Sequence, residues 1–230
     1  MTSPAHDAAL VRESTDRLLT VVAGLDDAAV AGPSLLPGWT RGHVITHLAR
    51  NADALVRVLA GRPMYDSAES RDADIDKGAG RPLAAQLDDL REASARLDGA
   101  FGAQSEEAWR RTVELRNGVR DTASALPFRR WIEIELHHVD LGTGHGIEDL
   151  PGAFVERELG TMARRFAGHP DITTAVELRS EDGNTWRTGA ESGEPVVVTG
   201  GPAQLVGWLT GRTTGSGLSS SAPLPELPAL

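Results

Sequence analysis

Two histidines and a glutamate are the residues of this 230-residue chain best suited to chemistry. His47 lies in the stretch HVITHL, whereas Glu133 and His137 lie four residues apart in EIELHH. Residues four apart stack on one face of an α-helix, so this carboxylate and imidazole could hold one ion. Catalytic zinc commonly takes two histidines and a glutamate, with a fourth position left to water or substrate. The three residues therefore predict a metal site, provided that two helices bring them together.

Spacing alone leaves a plainer interpretation open, because helical histidines often make only hydrogen bonds and Glu-x-x-x-His arises by chance in many helices. His43 is either a fourth ligand or a polar first-turn residue facing solvent, and we leave it out of the ligand set. His138 is rotated about 100° from His137 on a helix, so we expect a structural role for it. Asp140 either accepts the second ring N–H of His137 or is a helix-end carboxylate without that duty.

Helical periodicity in the first two-thirds of the chain predicts the elements that would position these residues. Thr40 is suited to cap the second helix, and Ser124 is suited to cap the fourth. Pro127 of the fourth helix is tolerated only in its first turn. A polar connection is expected between the second and third helices. Apolar residues recur at helical spacing in four segments, at about 7–25, 41–60, 82–101 and 125–141.

The pattern changes after Gly152, where shorter elements are predicted. We expect a mainly α protein with a small α+β part, in which residues 1–149 form a helical bundle, 150–215 a small α+β domain and 216–230 a flexible tail. The elements predicted after Gly152 are helices at 153–167 and 202–211 and strands at 173–180, 185–189 and 195–199.

Composition limits the partners of the protein. The formal net charge of −10 and the lack of a Lys/Arg-rich run argue against nucleic acid and against an anionic membrane as partners. No apolar stretch has the length of a membrane helix and the N-terminus lacks the layout of a secretory signal, so we expect a cytoplasmic protein. The chain has no cysteine, so any sulfur chemistry requires a thiol that arrives from outside.

Four separated stretches together resemble the family of mycothiol-dependent maleylpyruvate isomerases, and the likeness covers nearly the whole chain. The resemblance implies an N-terminal DinB-like four-helix bundle followed by a small α+β C-terminal domain. The stretches are LLPGWTRGHVITHLARNAD at 35–53, PMYDSAESRDADIDKGAGRP at 63–82, RRWIEIELHHVDLGTG at 129–144 and GWLTGR at 207–212.

The resemblance also implies roles for particular residues. In that family the bundle's metal is held by positions that correspond here to His47, Glu133 and His137, and zinc is the expected metal, with another divalent ion left open. Arg212 is similar in place to the substrate arginine of the family's C-terminal domain; its alternative role is to stabilise a helix C-terminus.

Two arginines of the second stretch are further candidates. Arg71 and Arg81 are either anchors for a substrate carboxylate or solvated loop residues.

The function that the resemblance implies is isomerisation of maleylpyruvate to fumarylpyruvate by reversible addition of mycothiol, with zinc activating the thiol. One alternative is a mycothiol S-transferase that acts on another electrophile, in detoxification or natural-product biosynthesis. A second alternative is a non-enzymatic zinc-binding stress protein with a closed four-ligand site.

Overall fold

The structure is a computed structural model that describes residues 3–228, and the chain forms two compact units. The first unit ends at Gly144 and the second begins at His145, whereas the sequence suggested a boundary after residue 149. The last two residues of the expected tail, 229 and 230, lie outside the described residues. Among the described residues, no helix combines the length and the apolar character needed to cross a membrane.

Four long helices of the first unit form the predicted bundle. In it, α1 and α3 each contact both α5 and α7. The helices of this unit are α1 (Pro4–Ala23), α2 (Asp27–Ala31), α3 (Arg41–Leu59), α4 (Ala68–Ala79), α5 (Leu83–Gly102), α6 (Glu106–Trp109) and α7 (Leu126–Asp140).

The bundle is held together by apolar side chains that all four long helices direct inward. Each fully buried Leu, Ile or Val contributes about 1.5–3 kcal/mol relative to an exposed one, so this cluster dominates the stability of the unit. The most buried members include Leu18, Val22, Val44, Ile45, Leu48, Leu90, Leu97, Leu126 and Ile134.

The starts of α3 and α7 decide where the candidate ligands lie. Thr40 caps α3 as predicted, because its side chain accepts a hydrogen bond from the His43 backbone N–H. Pro127 lies in the first turn of α7, as predicted. The prediction that Ser124 caps α7 is wrong, because the Ser124 hydroxyl is hydrogen-bonded to Thr122 in a preceding 3₁₀ turn.

The segment expected to be a polar connection contains α4, which packs against α3. Its first turn is closed by reciprocal hydrogen bonds between Ser67 and Ser70. A Cβ atom at Gly78 would collide with Thr46 of α3, and one at Gly42 would collide with the Ala79 carbonyl. These glycines therefore permit a close approach that brings α4 beside the predicted metal site.

A β-hairpin precedes α7 and was not predicted. Strands β1 (Thr112–Glu114) and β2 (Arg120–Thr122) pair in antiparallel register. The turn between them contains Asn117 and Gly118, both in the left-handed region with φ of 60° and 72°. Asn and Gly adopt this conformation more readily than other residues, so the Asn-Gly pair was the available signal for the hairpin.

The second unit is the small α+β part that the sequence predicted. A four-stranded sheet has the order β4-β3-β5-β6, in which β3 pairs parallel to β5 and antiparallel to β4. The segment expected to be a flexible tail contributes β6, which pairs with β5. The elements are α8 (Gly152–Phe166), β3 (Ala175–Ser180), β4 (Thr185–Gly189), β5 (Val196–Gly200), α9 (Pro202–Leu209) and β6 (Ser219–Ser220).

Candidate metal centre

His47 of α3 and Glu133 and His137 of α7 lie together in the structure. One nitrogen or oxygen atom from each residue falls in a group whose members all lie within 4.8 Å of one another. Glu133 Oε2 lies 2.9 Å from His47 Nε2 and 3.4 Å from His137 Nε2. Two imidazole nitrogens and a carboxylate oxygen form a donor set that suits catalytic zinc. The residues therefore fit the metal that the sequence predicts.

Packing on both helices fixes the directions of these side chains. His47 is buried and is flanked along α3 by the core residues Val44 and Leu48. The rings of His47 and His137 meet edge to face, with centroids 4.7 Å apart. The ring centroids of Trp39 and His47 lie 5.6 Å apart. The two imidazoles are thus held by aromatic contacts as well as by Glu133.

Each histidine also has a contact at its second ring nitrogen. His137 Nδ1 lies 2.8 Å from Oδ2 of Asp140, which is the contact proposed as one of two roles for that carboxylate. A carboxylate in this position fixes the tautomer of a histidine ligand and increases its basicity. The Arg71 guanidinium lies 3.2 Å from His47 Nδ1 and also pairs with Asp72. The structure thus places Asp140 and Arg71 around the cluster.

In the metal-free cluster, electrostatics favour the charge states that a metal requires at Glu133 and His47, whereas hydrogen bonds with Asp140 and Glu133 raise the pKa of His137 against its burial. Burial lowers the pKa of His47, against the opposing effect of Glu133. Burial acts to raise the pKa of Glu133, but the hydrogen bonds from His137 and His47 outweigh it and hold that pKa well below its ordinary value. Glu133 is therefore ionised and His47 is biased towards the neutral form, as metal ligands must be.

His47 and Glu133 of the cluster line a cavity of about 200 Å³, which we call the inner cavity. Beside it lies an outer cavity of about 550 Å³ between the loop that follows α3 and the hairpin. Residues lining the inner cavity include His47, Asn51, Tyr65, Arg71, Arg116 and Glu133. Sequence reasoning missed Tyr65 and Arg116, although the Asn-Gly turn marked the hairpin that carries Arg116.

Arg130 is buried directly behind the inner cavity. Its guanidinium donates to the Leu48 carbonyl and to Asn51 Oδ1, both at 2.8 Å. Burial lowers the pKa of Arg130 to about 10, against the opposing effect of the Glu133 charge. The side chain therefore stays protonated near neutral pH and orients Asn51, which lines the inner cavity.

Other residues singled out from the sequence lie outside the cluster. His43 Nδ1 lies 2.7 Å from the Thr40 hydroxyl and belongs to the cap of α3. Arg81 pairs with Asp89 of α5 and does not line the inner cavity.

Arg212 lies in the second unit, three residues after the end of α9. Its guanidinium donates to the Thr210 carbonyl at 2.8 Å, which is a contact typical of a basic residue at a helix C-terminus. Its role towards a substrate stays a prediction.

Fold and cluster together define a class: an α-helical bundle with a His₂Glu group suited to metal binding, joined to a small α+β unit. Residues 11–142 match the family model for the mycothiol maleylpyruvate isomerase N-terminal domain, and residues 149–229 match the C-terminal domain of the same family. The chain therefore belongs to the mycothiol-dependent maleylpyruvate isomerase family, which confirms the resemblance seen in the four stretches. It follows that the chain is a member of a family of enzymes.

Solved structures agree with this assignment. A crystal structure of the mycothiol-dependent maleylpyruvate isomerase has 29% sequence identity to the chain and a TM-score of 0.90. A crystal structure of a histidine-to-alanine mutant of such an isomerase has 28% identity and a TM-score of 0.90. The matches cover 100% of this chain and 100% of each of those chains. A search of curated proteins found no match.

Proposed function

We propose that this chain isomerises maleylpyruvate to fumarylpyruvate with mycothiol as cofactor and with one metal ion, zinc, held by His47, Glu133 and His137. The observation that carries the proposal is the convergence of these three ligand atoms within 4.8 Å, beside a cavity that His47 and Glu133 line. The chain has no cysteine, so the nucleophilic sulfur must come from a small-molecule thiol.

The chemistry explains why such a site is needed. A cis-to-trans change requires the carbon–carbon double bond to become single for a time. A thiolate that adds to the alkene carbon forms a C–S bond, and the π electrons move to the carbonyl oxygen as an enolate. After rotation the enolate collapses, the double bond returns, and the thiolate leaves unchanged. Bound zinc supplies the acidity that keeps a thiol ligand deprotonated near neutral pH.

Residues of the chain have separate tasks in this scheme. Glu133 brings a negative charge to the ligand set, and Asp140 holds the His137 ring through Nδ1. Arg130 orients Asn51 at the wall of the inner cavity. Arg71 lines the same cavity and is suited to stabilise enolate charge. Arg212 remains our candidate from family resemblance for binding a substrate carboxylate.

Two alternatives make different predictions. A non-enzymatic zinc protein needs a closed fourth position, yet His43, which could supply it, is engaged in the cap of α3. A mycothiol S-transferase would share metal, thiol and fold, and would differ in keeping the C–S bond. The outcome of turnover therefore separates the isomerase from the transferase.

The test is a turnover assay of the zinc-loaded protein with maleylpyruvate and a substoichiometric amount of mycothiol. We expect fumarylpyruvate to accumulate to many equivalents of the thiol, which is recovered unchanged. His47→Ala, incubated with zinc and assayed in the same way, is the inactive control. A persistent mycothiol adduct with no fumarylpyruvate would refute isomerisation and support the transferase.

A further inference from the structure

The inner and outer cavities adjoin at the hairpin, and Arg116 lines both of them. The inner cavity, at about 200 Å³, is smaller than the range of roughly 300–1,000 Å³ that is usual for drug-sized ligands. A substrate and the bulk of a thiol cofactor therefore require both spaces. Met64, Tyr65 and Leu115 are the other lining residues that the two cavities share. A group bound at this junction is close to the candidate metal centre.

The arginines of the inner cavity differ in how they are engaged. Arg129 makes two hydrogen bonds to one oxygen of Asp121, at 2.7 and 2.8 Å. Arg71 pairs with Asp72 and contacts His47. Within the part of the chain that the structure describes, the Arg116 guanidinium has neither a hydrogen bond nor an ion pair. Arg116 is thus the cation of this cavity that is available to an incoming anion.

The hairpin presents Arg116 from a fixed turn. Leu115 donates its backbone N–H to the Val119 carbonyl at 2.8 Å, which closes the loop around the left-handed Asn117 and Gly118. The Arg129–Asp121 pair joins β2 to α7, one helical turn before Glu133. The position of Arg116 is therefore coupled to the helix that carries two candidate ligands.

An apolar side chain accompanies the free cation. Val119, at the other side of the turn, is 45% exposed and also lines the inner cavity. An arginine beside an exposed valine suits a ligand that has both a carboxylate and a hydrocarbon segment. The net charge of −10 repels anions in general. A local guanidinium such as that of Arg116 would therefore be needed to attract an anionic substrate.

We propose that Arg116 binds a carboxylate of the electrophilic substrate and thereby makes the enzyme selective for anionic substrates. This inference rests on the proposed function, because it assigns Arg116 to the substrate of that same site. Arg116 acts in binding and orientation and leaves activation of the thiol to the metal centre.

Steady-state kinetics of the zinc-loaded full chain, with mycothiol saturating, tests the proposal. Arg116→Gln should raise the KM for maleylpyruvate by about tenfold or more, because hydrogen bonds to charged groups are the strong ones. The dependence of the rate on mycothiol concentration should be unchanged. Arg116→Lys should recover part of the loss, since lysine keeps the charge without the planar fork.

The matched control is Arg120→Gln, which removes the same charge from the same hairpin. Arg120 lines neither cavity, and its neighbour is Glu114 at 3.9 Å. The KM of Arg120→Gln for maleylpyruvate should stay within about twofold of the wild-type value, because solvent ions screen a surface charge that lies away from the cavity. Both variants should keep the wild-type thermal midpoint, because the two side chains are exposed.

The outcomes are distinguishable. If the wild-type protein converts maleylpyruvate and Arg116→Gln has an unchanged KM, the role of Arg116 is overturned and the proposed function stands. An equal rise in Arg120→Gln would also overturn it, because the effect would then be one of general charge. If the wild-type protein does not convert maleylpyruvate, the proposed function is refuted, and this inference is refuted with it.

Discussion

Two glutamates of α7 are placed in opposite chemical surroundings although they are two residues apart. Glu135 faces α1, where its Oε1 accepts hydrogen bonds from Ser14 Oγ at 2.5 Å, Arg17 at 2.7 Å and Trp131 Nε1 at 2.9 Å. Glu133 lies about 200° around the helix and faces the imidazoles of His47 and His137. One carboxylate meets three donors, and the other meets two potential metal ligands.

The difference separates a structural carboxylate from a functional one. Donors of the protein itself, one of them the Arg17 guanidinium, converge on Oε1 of Glu135, whereas histidine ligands are absent from those contacts. The histidines beside Glu133 can each present a lone pair to a cation, so a metal can replace protons in that cluster. The composition of the surroundings, and not burial alone, identifies the candidate site.

The largest expected effect is on stability, from Glu135→Ala. This change removes the common acceptor of Ser14, Arg17 and Trp131 and leaves a buried gap. The free energy of unfolding should fall by about 3–5 kcal/mol, measured by urea denaturation. Zinc bound per folded molecule should stay at the wild-type value, and a loss of zinc would break the comparison.

Glu133→Gln should show the reverse pattern. The amide is nearly isosteric but neutral, so it is a poorer ligand than a carboxylate. Zinc affinity should fall by more than about a hundredfold, beyond the range seen when only a contact behind a ligand is lost. The unfolding free energy of the metal-free protein should fall by less than in Glu135→Ala, because the amide keeps the size of the side chain and one acceptor oxygen for His47 and His137. Full zinc affinity in this variant would mean that Glu133 is structural, like Glu135.

Asp140→Asn tests the carboxylate that lies behind His137. Loss of the contact between Asp140 and His137 Nδ1 should weaken zinc binding by about tenfold to a hundredfold, measured by competition with a coloured chelator. Asp149→Asn, in the second unit, is a control with the same chemical change and should bind zinc normally. An unaltered affinity in Asp140→Asn would support the plainer role of a helix-end carboxylate.

The smallest expected effect concerns pH in the metal-free protein. Burial opposes protonation of His137, but hydrogen bonds with Asp140 and Glu133 outweigh it and raise its pKa above 6.5. A histidine whose pKa is raised in the folded state stabilises the fold at pH values below its ordinary pKa. This stabilisation is lost as the pH rises through the raised pKa. The thermal midpoint of wild type should exceed that of His137→Gln by more at about pH 6 than at about pH 9. A larger gap at the higher pH would contradict this sign.

The sequence predicted the bundle well because its long helices carry strong apolar stripes and clear ends. The helices expected at 41–60, 82–101 and 125–141 appear as Arg41–Leu59, Leu83–Gly102 and Leu126–Asp140. The three predicted strands of the second unit were also confirmed within about two residues at each end.

Elements without such stripes were missed. The α4 segment is mostly polar, and its position depends on close contacts of Gly42 and Gly78 that only tertiary structure reveals. The hairpin strands have three residues each, which is too short for a periodicity to show. Residue type and spacing suggested the candidate ligands, and the family resemblance selected them. Arg116 was missed because its availability depends on the pairing of neighbouring arginines in space.

The most direct test of the central claim is the zinc content of purified His47→Ala, measured by mass spectrometry of the metal and compared with wild type. His43→Ala is the matched control, because it removes the same side chain one helical turn away. We expect about one zinc ion per chain in wild type and in His43→Ala, and almost none in His47→Ala. Full zinc in folded His47→Ala would contradict the assignment of His47, Glu133 and His137 as the metal site.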